Sequence, residues 1–387
     1  MPDPTVAISA RGEERVRSGH LWIYKSDVTG VRAAGGDTVL VEGPHGRRLG
    51  HALFSDRSQI ALRLLTRDDR PADLGLWRRR VESAIRFREQ LRIDATAYRL
   101  VNAEGDLLPS FIVDRYGDWL VVQALSQAVD RLLPELTQIL VDRLQPRGIL
   151  ARNDSKVRGL EGLPSEVTAL HGEVPPEVVV RDADVEFEVD LWHGQKTGLF
   201  LDQRENRDAA ARYAHGRLLD CFSYNGAFAL RLGRQCSEVI AIDISEDAVG
   251  RIRANAARNG VAVTAVVENV FDELRRLERT GERFDMIVLD PPAFAKNKAS
   301  IERAMPGYKE INLRALKLLA PDGYLVTCSC SYHVDEATLG QIVYEASQDA
   351  GAPVTVVEKR MQSRDHPVLL AVPETYYLKC FILRRLA

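Results

Sequence analysis

The C-terminal half of the chain alternates short apolar runs with longer amphipathic stretches. Arg217–Cys221 and Met286–Asp290 have the length and content of buried strands, and Glu246–Asn259 repeats its apolar residues at a helical period. Ser245 before that helix and Gly260 after it are residue types that commonly cap helices. Strands that alternate with helices in this way predict a parallel, doubly wound α/β sheet with both faces covered.

The same pattern predicts further elements towards the C-terminus. A helix is expected over Lys309–Leu319, ended by the turn residues 320–323 (APDG), and a strand is expected over Tyr324–Ser329. Two late strands are predicted over Val354–Glu358 and Tyr376–Leu383.

The N-terminal half has a different pattern. The segments Val28–Val31, Thr38–Val41 and Ile60–Leu65 are β-rich and separated by Gly-containing turns, which indicates a small β-barrel or sandwich. Residues 73–92 then mix apolar residues with arginines at a helical period, which predicts a basic amphipathic helix at the start of a mixed α+β module. The pattern therefore divides the chain into three predicted domains, residues 1–70, 71–183 and 184–387.

The charge of the chain is nearly balanced overall but unevenly distributed. The 387 residues include 52 basic and 55 acidic ones, and the net charge of −3 argues against a protein that coats nucleic acid unspecifically. Residues 1–100 hold 18 basic against 13 acidic residues, whereas the remainder holds 34 against 42. Most of the bases are Arg, which binds phosphate in a bidentate manner, although a GC-rich genome favours Arg as well.

The cysteines, the N-terminus and the apolar runs indicate the cellular compartment in which we expect the protein. Five cysteines are an odd number without paired CxxC spacing, so we expect neither a disulfide framework nor a metal site. The N-terminus (MPDPT) lacks the pattern of a signal peptide, and no apolar run approaches the 18 residues of a membrane span. We therefore expect a soluble, cytoplasmic protein with reduced thiols.

Reactive and polar residues end four of the predicted strands. Asp220, Asp243, Asp290 and the pair Cys328 and Cys330 all follow apolar runs. The carboxyl ends of parallel strands share one edge of a sheet, where such folds bind ligands. Asp243 has the position of a carboxylate that accepts both ribose hydroxyls of an adenosine, although a carboxylate that only caps the next helix is the alternative.

An ordered set of motifs at these strand ends resembles the class I S-adenosylmethionine-dependent methyltransferases. The motifs are residues 219–226 (LDCFSYNG), 241–244 (AIDI), 268–272 (ENVFD) and 289–294 (LDPPAF). The resemblance implies S-adenosylmethionine as cofactor, with Asp220 to Gly226 facing its methionine part, Asp243 on the ribose and Asn269 at the adenine edge. The residues implied within and beside these motifs are Phe222, Tyr224, Asn225, Ile244 and Asp290.

A closer resemblance, over nearly the whole chain, is to the bacterial 23S ribosomal RNA cytosine-5 methyltransferases. It is carried by residues 19–24 (GHLWIY), 195–204 (QKTGLFLDQR), 290–296 (DPPAFAK), 328–331 (CSCS) and 365–367 (DHP), with Glu374. That family has an N-terminal PUA RNA-binding domain, a central EEHEE-type module and a C-terminal Rossmann-like methyltransferase domain. The resemblance also implies that Lys196, Thr197, Phe200 and Gln203 lie near the cofactor.

This resemblance implies covalent catalysis on a cytosine that has left its stack. Cytosine C5 is a weak nucleophile, and a thiolate that adds to C6 activates it. The family's pattern assigns the nucleophile to Cys330, whereas strand periodicity alone does not separate it from Cys328, and a buried, inert thiol is the alternative for either. The residues implied to hold the base are Asp290 at its N3/N4 edge, Pro291 and Pro292, which stiffen the loop, and Phe294, which stacks. The acceptor of the C5 proton stays unassigned.

Two other functions stay open at the level of the sequence. A methyltransferase acting on a guanine or adenine nitrogen of ribosomal RNA would use a similar DPPF-like loop but would need no thiolate. A non-catalytic PUA-type RNA-binding protein is the second alternative. The sequence also leaves three points open. They are which nucleotide is methylated, whether the substrate is naked RNA or an assembling subunit, and whether the protein is a monomer or a homodimer.

Overall fold

A computed structural model describes residues 4–68, 70–294 and 301–387. Ala295 and Lys296, which end one of the motifs above, lie outside the described residues. Two compact units are present, each built from three separate stretches of chain. The first unit comprises Met1–Val180, Val189–Leu201 and Arg364–Thr375. The second comprises Arg181–Glu188, Asp202–Ser363 and Tyr376–Ala387. The division into three domains stays a prediction.

The first unit begins with a six-stranded sheet. Its strands are β1 (Thr5–Ile8), β2 (Trp22–Tyr24), β3 (Val28–Arg32), β4 (Thr38–Glu42), β5 (Arg48–Phe54) and β6 (Ile60–Leu64), in the order β2-β6-β5-β4-β1-β3. Only β1 and β4 pair in parallel. A helix, α1 (Ala10–Arg17), follows β1, and Ser9 caps it by accepting a hydrogen bond from the Gly12 N–H. The sequence pattern predicted neither β1 nor α1, since both are short.

The mixed module of the first unit follows a long helix, α2 (Leu74–Leu91). Asp73 caps α2, and its apolar stripe, which includes Trp77 and Val81, is buried. The remaining elements are β7 (Ala97–Asn102), β8 (Phe111–Tyr116), β9 (Trp119–Ala124), α3 (Gln127–Arg131), α4 (Leu133–Leu144), β10 (Gly148–Asn153), α5 (Val157–Leu160) and β11 (Glu166–Gly172). The five strands lie in the order β11-β10-β9-β8-β7. A separate two-stranded ribbon is formed by β12 (Glu177–Asp182) and β13 (Val185–Asp190).

The second unit contains the α/β sheet that the sequence predicts. The strands are β14 (Arg217–Cys221), β15 (Glu238–Asp243), β16 (Thr264–Val267), β17 (Phe284–Leu289), β18 (Leu319–Ser329), β19 (Val354–Met361) and β20 (Lys379–Arg385). The helices are α6 (Arg204–Ala211), α7 (Ala227–Gly233), α8 (Glu246–Asn259), α9 (Val270–Thr280), α10 (Ile301–Leu318) and α11 (Glu336–Ala350). The predicted caps of α8 are confirmed, because Ser245 accepts from the Ala248 N–H and Gly260 is left-handed.

The strand order is β16-β15-β14-β17-β18-β20-β19. The first five strands are parallel, but β20 runs antiparallel to both of its neighbours, so the prediction of a wholly parallel sheet is wrong at this edge. Between β19 and β20, the described residues form one short 3₁₀ helix, Pro373–Thr375, and no α-helix. A strand can return antiparallel to its predecessor without the crossover that a parallel neighbour needs.

Both faces of this sheet are covered, as expected. On β14, Leu218 packs against the group of helices α6, α7 and α8, whereas Leu219 packs against α9, α10 and α11. Met286 and Ile287 alternate in the same way on β17, which is the period of a strand. The helix predicted from Lys309 already begins at Ile301. The two hydrophobic layers hold the strands whose carboxyl ends carry the candidate residues.

Candidate active site

The loop after β14 has an unusual backbone. Phe222, Tyr224 and Gly226 all have positive φ, at 62°, 52° and 83°. A left-handed conformation costs a residue other than Gly about 1–2 kcal/mol, so the surrounding contacts must hold the loop. They include hydrogen bonds from the Ser223 N–H to the Ile242 carbonyl (3.0 Å) and from the Asn255 side chain to the Asn225 carbonyl (3.2 Å).

Asp220 lies beneath this loop rather than on its surface. It is 1% exposed, and its Oδ2 accepts a hydrogen bond from the Ala229 N–H in the first turn of α7 (3.0 Å). Burial raises the pKa of Asp220 to about 7. The carboxyl group therefore joins β14 to α7 and supports the loop from below.

Asp243 and Ile244 present a polar and an apolar surface side by side. The two Asp243 oxygens accept hydrogen bonds from the Tyr224 and Ser245 N–H groups, each at 2.9 Å. Each carboxylate oxygen has a further lone pair that a ribose hydroxyl can use. Ile244 follows directly and is 68% exposed, which is unusual for a large aliphatic side chain and offers a surface for an adenine ring.

Asn269 has a structural role that its sequence position did not reveal. It is the N-cap of α9, and its Oδ1 accepts a hydrogen bond from the Phe271 N–H (2.9 Å). A carbonyl oxygen can accept a second bond, so contact with the adenine edge stays a prediction. Together, the Asp243 carboxylate, the exposed Ile244 and the strained loop at one sheet edge fit an adenosyl cofactor.

The loop after β17 carries the predicted base-binding residues. Asp290 Oδ1 accepts a hydrogen bond from Gln203 Nε2 at 2.9 Å, and Gln203 is itself almost fully buried. Pro291 is buried and Pro292 is exposed. Gln203 therefore fixes the orientation of the Asp290 carboxylate, a role that the sequence did not suggest.

The two cysteines near the end of β18 differ in their surroundings. Cys328 is fully buried and pairs across the sheet with Cys380, and hydrogen bonding to that thiol together with burial raises the pKa of Cys328 well above its usual range. Cys330 lies beyond the end of β18, is half-buried, and contacts the Pro291 carbonyl through its Sγ at 3.9 Å. Strand periodicity did not separate the two because Cys330 is no longer part of the strand.

Phe294 lies within a cluster of aromatic rings. Its ring centroid lies 4.7 Å from that of Tyr308, 6.0 Å from that of Phe271 and 6.4 Å from that of Phe222. These contacts join the loops after β14 and β17 to α9 and α10. The predicted stacking of Phe294 on a substrate base stays a prediction.

Three of the predicted cofactor residues belong to the first unit. Thr197 is 1% exposed, and its hydroxyl donates to Asp114 Oδ2 at 2.6 Å and contacts the Tyr116 hydroxyl at 3.1 Å. Lys196 is exposed, with its ammonium 4.3 Å from the centroid of the Phe200 ring. The side chain of Thr197 therefore anchors its own loop within the first unit.

Two arginines of the first unit have structural roles. Arg63 and Arg88 are buried and form ion pairs with Glu161 (2.8 Å) and Asp106 (2.6 Å), so they hold the fold. Trp22, within the motif of residues 19–24, donates its indole N–H to Glu104 (3.0 Å).

Two further residues near Cys330 were not identified from the sequence. Tyr308 is fully buried, and its hydroxyl accepts a hydrogen bond from Ser329 Oγ (3.2 Å). Lys379 is 1% exposed and donates to the Ser331 carbonyl. The only available signal was that Lys379 is the one charged residue of the predicted strand Tyr376–Leu383.

Two negative findings concern the described residues only. No described helix has both the length and the apolar content to cross a bilayer. Within the same residues, no three His, Cys, Asp or Glu side chains are grouped so that they could hold a metal ion.

Comparisons with known proteins extend over nearly the whole chain. Residues 152–381 match the family described as S-adenosylmethionine-dependent methyltransferase, and residues 6–67 match the PUA-like domain. A solved structure of a methyltransferase complexed with SAH superimposes with a TM-score of 0.86 at 19% identity, covering 98% of this chain and 99% of that one. This likeness supports the fold.

Curated relatives are more similar in sequence. Ribosomal RNA large subunit methyltransferase I of Tolumonas auensis is 39% identical over 392 residues, covering 98% of this chain and 99% of the relative. The protein of the same name from Aeromonas salmonicida is 39% identical over 383 residues, covering 96% and 97%. The chain therefore belongs to the S-adenosylmethionine-dependent methyltransferases, and among them to the family of the ribosomal RNA large subunit methyltransferases I.

Proposed function

We propose that this protein transfers a methyl group from S-adenosylmethionine to C5 of a specific cytosine in 23S ribosomal RNA, through a covalent bond between Cys330 and C6. The observation that carries the proposal is the contact at 3.9 Å between Cys330 Sγ and the carbonyl of Pro291. It joins a half-buried thiol to the loop that carries Asp290. Such a pairing suits a thiolate that attacks a base held by a carboxyl group.

The proposed reaction makes and breaks bonds at C5 and C6 of the cytosine in sequence. The Cys330 thiolate forms a bond to C6, and the electron pair of the C5–C6 double bond moves so that C5 becomes nucleophilic. When bound, the cofactor would supply an electrophilic methyl group on its sulfonium centre: C5 would bond to that methyl group and the sulfonium–methyl bond would break, leaving a neutral thioether. Loss of the C5 proton to a base then allows the Cys330–C6 bond to break, which restores the ring and the thiolate.

Asp290 would hold the base at its N3/N4 edge during these steps. Its carboxylate is oriented by Gln203, so little reorganisation is needed when a base arrives. Pro292 is exposed beside it and has a restricted backbone, which favours a preformed loop. For the cofactor, Asp243 would accept the ribose hydroxyls, and Ile244 would pack against the adenine ring.

The proposal gives different functions to the three predicted domains. We assign RNA capture to residues 1–70 and 71–183 and methyl transfer to residues 184–387. In support, the three large sheets lie within Thr5–Leu64, Ala97–Gly172 and Arg217–Arg385, in the same order. A ribosomal RNA substrate also agrees with a cytoplasmic location.

Replacement of Cys330 by Ala tests the mechanism. We expect C330A to lose methyl transfer to 23S ribosomal RNA by about a thousand-fold or more, because no other group replaces a nucleophile. Binding of S-adenosylmethionine, measured by calorimetry, should persist. Cys328→Ala is the matched control, since it removes a buried thiol of the same strand end and should retain turnover wherever the protein folds.

The identity of the product separates the proposal from its rivals. Mass spectrometry of the digested RNA should give 5-methylcytidine, and RNA containing 5-fluorocytidine should form a stable adduct at Cys330 because its C5 carries no removable proton. Normal turnover by C330A, or a methylated guanine or adenine nitrogen, would contradict the cytosine mechanism.

A further inference from the structure

Lys379 is a buried cation at the start of β20. It is 1% exposed and among the largest fully buried side chains of the described residues. A buried ammonium group is costly unless other groups replace its water shell, so its surroundings need an explanation.

The partners of Lys379 are main-chain oxygens beside the candidate nucleophile. Its Nζ donates to the Ser331 carbonyl at 2.6 Å and to the Tyr377 carbonyl at 2.9 Å. Ser331 directly follows Cys330 in the chain. The Lys379 Nζ also lies 5.8 Å from the centroid of the Tyr376 ring, within the range of a cation–π contact. Lys379 therefore ties the turn that carries Cys330 to β20.

No carboxylate among the described residues forms an ion pair with Lys379, so its positive charge is not neutralised by a close partner. Three acidic groups of the described residues also interact in this region: Asp290 after β17, Tyr308 on α10 and, near Lys379, Asp335 at the start of α11. Asp290 and Tyr308 would disfavour a thiolate if they were charged. Lys379 carries the opposite, positive charge and interacts with Cys330.

The electrostatic consequence follows from burial. A positive charge acts more strongly on a neighbouring group in a poorly hydrated environment than in water. Burial lowers the pKa of Lys379 to about 8, so the ammonium form still predominates at neutral pH.

We propose that Lys379 is a positioning residue for Cys330, which fixes the Cys330–Ser331 turn and favours the thiolate of Cys330 at neutral pH. This inference rests on the proposed function, because it matters for catalysis only if Cys330 is the nucleophile. Its chemistry can nevertheless be tested without RNA.

Alkylation of the full-length protein by iodoacetamide provides the test. The rate at Cys330, followed by peptide mass spectrometry from pH 5 to 10, reports the fraction of thiolate. In the wild type we expect a midpoint below about 8.5, the ordinary value of a cysteine. A wild-type midpoint at or above that value would overturn the proposal, whether or not any variant folds.

Variants at position 379 separate charge from packing. Lys379→Met keeps most of the volume without the charge, and we expect alkylation of Cys330 at pH 7 to slow about tenfold. Lys379→Arg retains a positive charge and should stay close to the wild type. Unchanged alkylation in a folded K379M protein, or equal losses in both variants, would refute the role of the charge.

This experiment is independent of the cytosine mechanism. If C330A retained RNA methylation while K379M still slowed alkylation, the proposed function would fail and the influence of Lys379 on Cys330 would stand. If C330A lost RNA methylation while K379M left the alkylation rate unchanged, the cytosine mechanism would stand and Lys379 would have no part in it.

Discussion

Asp220 is a candidate site residue that lies next to the loop after β14 without being exposed. Its carboxyl group supports the loop after β14 from below and is shielded from water. The pKa of about 7 means that the folded protein binds the Asp220 proton more tightly than the unfolded chain does.

A pH dependence of stability follows from Asp220. Between pH 4 and 7 the unfolded state releases the proton first, so the free energy of unfolding should fall as the pH rises through this interval. Asp220→Asn retains an acceptor for the Ala229 N–H but has no such proton. We expect a flatter pH dependence in D220N, by a few kcal/mol at most, since one pKa unit corresponds to about 1.4 kcal/mol.

Urea unfolding at pH 5 and pH 7 measures this difference. Asp220→Ala is the control, because it loses both the proton and the acceptor and should be destabilised at both values. The same pH dependence in the wild type and D220N would show that Asp220 is already ionised in the folded protein.

At the residue scale, sequence reasoning found residue types better than roles. It selected Asp290 and Cys330, but only the family resemblance favoured Cys330 over Cys328. Periodicity could not separate them, since the difference depends on where β18 ends and on Cys380 across the sheet. Lys379 was missed because Ser331, the partner that links it to Cys330, lies far away in the sequence.

At the scale of elements, the loop after β14 is the part of the candidate site where several residues need a left-handed backbone. Gly226 has a φ of 83° at the N-cap of α7, and a Cβ atom there would lie 3.3 Å from a methyl group of Ile252. Gly260, at the end of α8, has a φ of 62° but open space around it. The two glycines share a backbone conformation and differ in location.

This contrast gives a paired prediction. Gly226→Ala and Gly260→Ala should each lower the free energy of unfolding by about 1–2 kcal/mol, because both force Ala into the left-handed region. Only G226A should also weaken the binding of S-adenosylmethionine, by about tenfold, because it displaces the loop after β14, which we expect to contact the cofactor. Calorimetry with thermal unfolding checks both effects, and equal affinities for the two variants would contradict this role of the loop.

The element boundaries were predictable where the local signal was strong. Helix α8 agrees at both ends with its prediction because Ser245 and Gly260 cap it through local hydrogen bonds. The direction of β20 was not predictable, since its sequence suits either partner orientation and only its pairing with β18 and β19 decides it.

At the scale of the whole molecule, the structure shows which arginines of the basic N-terminal part are buried and which are exposed. Once Arg63 and Arg88 are assigned to buried ion pairs, Arg79 and Arg86 remain exposed on α2. Exposed arginines on one helix are suited to contacts with phosphates, and such contacts make the affinity for RNA depend on salt.

Charge reversal on α2 tests this assignment. Arg79→Glu with Arg86→Glu should weaken RNA binding and reduce the slope of log affinity against log salt by about two, one for each lost phosphate contact. Arg279→Glu with Arg283→Glu makes the same charge change at exposed positions of the second unit. Similar losses in both double variants would indicate a general effect of net charge, and binding of S-adenosylmethionine should not change in either.

The sequence by itself determined the α/β class of the C-terminal part, the caps of α8 and which residue types follow the strands, because these depend on periodicity and on neighbours along the chain. Only the tertiary structure decided which cysteine is buried, which arginines are exposed, how β20 runs and what lies next to Cys330. Those properties depend on contacts between residues far apart in the chain. Lys379 and Ser331, 48 positions apart and 2.6 Å from atom to atom, show this dependence most directly.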